Sequence, residues 1–86
     1  MTRAHLHGVT ILADATMAMV TFPQGKPRRY FIRTTDELSA AITAARVRLE
    51  RQAYRAVIGA IEDAWASHID EAWAALEART KPEGGE

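Results

Sequence analysis

Between Arg28 and Thr80 the chain has no proline and one glycine, Gly59. A single helix over the last 45 or so residues of that run would be about 67 Å long at 1.5 Å per residue, out of scale with the short strands before it. Phase argues against one helix more firmly than length does. At about 100° per residue, Leu38, Ile42, Ala45, Leu49 and Ala53 share one stripe, and Ile58, Ile61, Trp65, Ile69, Ala72 and Leu76 share another roughly 160° away. A seven-residue repeat drifts only about 20° per heptad, so supercoiling cannot join the two. The stripes therefore predict two helices, with the break in the stretch from Tyr54 to Ala60 and Gly59 as the left-handed residue that closes the first. A less favoured break precedes Ser67, where Ser-His-Ile-Asp resembles a weak capping box; the remaining alternative is a continuous helix burying opposite faces against different chains.

The first third reads as strands. Val9, Ile11 and Ala13 alternate with Thr10, Leu12 and Asp14, and the next run sets Met17, Met19 and Thr21 opposite Ala18, Val20 and Phe22. Pro23 and Pro27, which cannot donate to a ladder, bracket a five-residue loop. A third run, from Arg28, places Tyr30 and Ile32 on one side and Arg29, Phe31 and Arg33 on the other. Thr34 with Glu37 three residues on forms a capping box that starts the first helix. The expected fold is α+β: a three-stranded antiparallel meander followed by two helices packed on one face, β-β-β-α-α, in a single domain over residues 1–80 with a disordered tail at 81–86.

The core of such a fold is thin. Of 41 hydrophobic residues 17 are Ala, which contribute little on burial, and no cysteine is present to staple the chain. Association with a second chain is the natural supplement, so a homodimer or a partner-bound protein is expected. No stretch approaches the roughly 18 apolar residues of a membrane span, and the N-terminus matches a secretory signal poorly, leaving the cytoplasm as the default location.

Formal net charge is zero, yet the charges are segregated. Residues 1–55 carry nine Lys or Arg against four acids, and residues 56–86 carry two against seven, a split of +5 and −5. Lys26, Arg28, Arg29 and Arg33 surround Tyr30 and Phe31, and Arg48, Arg51 and Arg55 follow at helical spacing. Phosphates and bases are one partner for such a surface, an acidic protein is another, and a solvated strand and helix face is the plain alternative. At the acidic end Asp63, Asp70 and Glu77 recur every seven residues beside the apolar stripe, as charges flank a helical seam. Trp65, Ile69, Trp73 and Leu76 are the candidate protein interface, since this helix carries more apolar surface than a small sheet covers.

Chemistry-bearing constellations are sparse. His5 and His7 share a side if they lie in a strand, but no third ligand is near in sequence, and His68 is distant, so no metal or other cofactor is expected. No nucleophile elbow, glycine-rich phosphate loop or zinc-protease motif occurs. The leading expectation is a small noncatalytic protein-binding module, a regulator or inhibitor of the kind carried by phages and other mobile elements. The alternative is a nucleic-acid-binding accessory protein using the basic hairpin and the Arg row.

Overall fold

The computed structural model describes residues 2–23 and 26–80. Four strands, β1 (Thr2–Leu6), β2 (Val9–Ala13), β3 (Ala18–Phe22) and β4 (Arg28–Ile32), form an antiparallel sheet in sequence order. Two helices follow, α1 (Thr35–Arg48) and α2 (Arg51–Thr80). The α+β class is as the sequence predicts, but the sheet has four strands rather than three. The added strand pairs Thr2 with Ala13 and Leu6 with Val9. It is joined to β2 by His7 and Gly8, whose φ angles of 52° and 80° make the mirror-image two-residue turn that matches strand twist. A side chain at Gly8 would be strained at that φ, and its Cβ would lie 3.2 Å from Cγ of Pro23, which would have to give way by a few tenths of an ångström.

Alternation along the strands sorts the two faces. Val9, Ile11 and Ala13 of β2, Ala18, Val20 and Phe22 of β3, and Ile32 of β4 are buried on the face that carries the helices. Against them, α1 lies over β4 while α2 crosses β1, β2 and β3. Ala41 and Ala45 are the buried residues of α1, and their small side chains let the helix sit close to the sheet edge. Thr34 caps α1 by accepting the Glu37 N–H at 3.2 Å, and the Glu37 carboxylate accepts the Arg33 N–H at 2.7 Å, one residue earlier than a capping box specifies.

Two helices are present, but the break falls at Leu49 and Glu50 rather than between Tyr54 and Ala60. Leu49 adopts extended φ and ψ of −118° and 150° while its N–H still donates to the Ala45 carbonyl, and the Glu50 carbonyl accepts the first α2 N–H, from Tyr54, at 2.9 Å. An extended cap needs no glycine, which is why Gly59 was a misleading signal. Gly59 instead lies inside α2, and a Cβ there would meet nothing within 4 Å. Gly59→Ala is therefore expected to raise stability by about 0.5–1 kcal/mol, read as a higher urea midpoint at unchanged slope. A lower midpoint would show that the position is needed bare.

Register fixes where the helices point. Thr2, Ala13, Ala18 and Ile32 lie at one end of the sheet, the end from which α1 departs. α2 returns to that same end, where the hydroxyls of Thr2 and Ser67 hydrogen-bond and Nδ1 of His68 meets the Asp14 carbonyl at 2.7 Å. The helices thus run antiparallel, and α2, at 30 residues and about 45 Å, continues past the sheet. The molecule measures 54 × 19 × 18 Å.

Candidate interaction surfaces

The end of α2 beyond His68 is the first surface. Val57, Ile61, Ala64 and His68 mark the buried side of the helix, spaced by three and four residues, and among the described residues His68 is the last buried one along it. About twelve residues follow, near 18 Å of helix. On that segment Ile69 and Ala72 are half-buried, while Trp73 is 61% and Leu76 45% exposed. Trp65, Ile69, Trp73 and Leu76 are thus divided: Trp65 packs on the core and tilts against the His68 ring at 5.1 Å, whereas Trp73 and Leu76 stand in solvent. The acidic edge of Asp63, Asp70 and Glu77 is exposed beside them.

The second surface is the uncovered face of the sheet, which β1 extends beyond the three expected strands. One row across all four strands is Arg3, Leu12, Met19 and Phe31. The neighbouring row is His5, Thr10, Thr21 and Arg29. Leu12 and Met19 are half-buried by their neighbours and Phe31 is 42% exposed, so an apolar strip crosses the sheet between two exposed arginines. None of these strand positions is acidic.

The basic residues fall on different sides. Arg28 and Arg48 line a shallow groove of about 480 Å³ between β4 and α1, together with Tyr30, Ala44 and Val47. The guanidinium of Arg28 lies 5.8 Å from the Tyr30 ring centre and that of Arg48 5.9 Å from the Phe22 ring centre, so both are drawn onto aromatic faces. Arg29 projects from the opposite face of the sheet, and Arg33 approaches Glu37 at 3.9 Å. Arg51 and Arg55 are exposed on the first turns of α2, and Lys26 is exposed in the loop before β4.

The histidines are separated. His7 sits in the β1–β2 turn and not beside His5 in a strand, His5 bonds Thr10 Oγ1 through Nδ1 at 3.0 Å, and His68 is buried under the other face. Among the described residues no group of three metal-binding side chains gathers. No described helix is long and apolar enough to cross a membrane.

The turn that receives His68 has its own electrostatics. Asp14 Oδ1 accepts the N–H groups of Thr16 at 2.7 Å and Met17 at 3.1 Å, and these bonds hold its pKa below the ordinary carboxylate value, with His68 a smaller contributor. A depressed folded-state pKa contributes stability that is present above the unfolded value, near 3.8, and lost as pH falls through the folded one. Between pH 5 and pH 3, Asp14→Asn is therefore expected to lose less stability than the parent. Parallel acid titrations by circular dichroism would test this, and superimposable curves would sink it.

No protein-family description, no curated protein and no solved structure matches this chain.

Proposed function

We propose that the chain is a noncatalytic protein-binding module, a regulator or inhibitor that works by occupying a partner's surface, and that the end of α2 is its docking element. The observation that supports this is Trp73, a large indole held 61% exposed on a helix that has already run past its own sheet. Exposed Trp on a rigid helix is costly to leave in water and is an effective anchor once covered, because Trp residues dominate the binding energy of many interfaces.

The test separates binding from folding. Trp73→Ala removes no core contact, so at protein concentrations low enough to keep the chain monomeric its urea midpoint is expected to correspond to a stability within about 0.5 kcal/mol of the parent. A photocrosslinking side chain at position 73 is expected to give a covalent protein adduct in the cell, while the same group at exposed Ala56 gives none. Absence of any adduct at 73 removes this reading.

Arg3, Arg29 and Phe31 on the open face support a second reading, nucleic-acid binding, in which cations meet phosphate and the ring stacks on a base. Titration with mixed oligonucleotides at two salt concentrations tests it through the slope expected of phosphate contacts.

A further inference from the structure

We propose that the partner is a second copy of this chain, joined by reciprocal exchange in which the projecting end of α2 from each copy lies on the uncovered sheet face of the other. The inference rests on the reading of α2 as the docking element and adds its occupant.

Both surfaces carry an apolar strip. Leu12, Met19 and Phe31 cross the sheet, and Ile69, Trp73 and Leu76 follow one side of the helix. Their lengths agree, since Ile69 to Leu76 spans about 10.5 Å of helix and the step from Leu12 across β3 to Phe31 spans about 10 Å at roughly 4.8 Å between strands. Their charges are opposite. Arg3 and Arg29 flank the strip on the sheet, whereas Asp70 and Glu77 flank the strip on the helix.

Like-with-like pairing is opposed by the same charges. Two open faces set against each other would bring their arginines together. Two α2 ends packed antiparallel about a two-fold axis would align the edge of Asp70 and Glu77 with itself. Only the mixed contact, helix end on sheet face, joins opposite signs and covers both apolar strips.

Topology makes the mixed contact intermolecular. The α2 end leaves the body in the helix layer, on the far side of the sheet from the open face, so it cannot fold under its own sheet without breaking at the His68 anchor. A two-fold axis in the plane of the sheet, at the end bearing Thr2 and Asp14, carries each projecting helix onto the partner's open face. Because the contact then occurs twice, a short helix end moves toward the roughly 1,600 Å² of a standard interface.

Charge reversal tests the arrangement in the full chain. Sedimentation velocity is expected to show a dimer for the parent, and at least about a tenfold weaker one for Arg3→Glu with Arg29→Glu or for Asp70→Arg with Glu77→Arg. All four positions are exposed, so far-UV circular dichroism should be unchanged. An equimolar mixture of the two variants is expected to regain the dimer as a heterodimer, since each then offers the other a complementary pair of surfaces. Variants that dimerise like the parent, or a mixture that stays apart, would overturn the exchange. A monomeric parent whose position-73 adduct has a foreign mass would overturn the second copy and leave the docking role of α2 standing. Oligonucleotide binding by the monomer, lost on reversing Arg3 and Arg29, would assign the open face to nucleic acid instead.

Discussion

Phe22→Ala is expected to remove about 3–5 kcal/mol of stability, the largest loss from any single truncation in this chain. Phe22 is fully buried at the end of β3 and meets Tyr30 edge-to-face at 5.6 Å, with Arg48 above its ring. Most other members of the buried cluster it belongs to are alanines and valines, short side chains with little reach to refill a hole, so the cavity term adds to the transfer term. At roughly 0.05–0.15 kcal/mol per residue a chain of this length has about 4–13 kcal/mol in all, so the loss is a large share of the total. Urea titration followed by circular dichroism measures the loss. Phe31→Ala, on the open face, is the control and, at concentrations low enough to keep the chain monomeric, should change stability by less than about 1 kcal/mol. If the two substitutions cost the same, the core does not lie on the side of the sheet assigned here.

His68→Ala should follow at about 3 kcal/mol, from two sources. The imidazole is 7% exposed and packs against Trp65, so its removal opens a hole at the end of the core. A carbonyl can only accept, so Nδ1 of His68 must carry a proton toward Asp14 O, and truncation leaves that carbonyl without this donor. His68→Phe separates the two, since it keeps most of the volume and loses only the donor. The phenylalanine variant is expected to recover about half of the loss. Hydrogen exchange should rise first in the β2–β3 turn and in α2 around Ser67, where the helix is tied to the sheet. Uniform protection loss across the sheet would show instead that His68 is an ordinary part of the core with no anchoring role. The anchor matters to the proposed function because the α2 end can present Trp73 only from a helix whose last attachment holds.

Much of the architecture is legible from side-chain periodicity. Strand alternation shows which residues of β2, β3 and β4 share a side, though not which side is buried, and the Thr34 and Glu37 spacing gives the start of α1. The turn at His7 and Gly8 is a weak two-residue signal, so β1, with Arg3 and His5 on the open face, leaves little trace in the sequence. Two apolar stripes require two helices, but the break could not be placed from the glycine. Leu49 turns the chain in extended geometry, which almost any residue adopts, so the position leaves little trace in the sequence. Ala53, in phase with the first stripe, belongs to the second helix for the same reason. The tail expected at 81–86 lies outside the described residues.

Apolar spacing alone determines that this chain makes an antiparallel sheet and two helices, because period and phase are local properties that each segment carries wherever it packs. Which stretch of α2 is left over is not local. It depends on where the sheet ends, and that is set when Thr2 and Asp14 meet Ser67 and His68 across more than fifty residues of chain. Trp65 and Trp73 are equivalent in the sequence, and only the tertiary structure makes one a core residue and the other an exposed anchor.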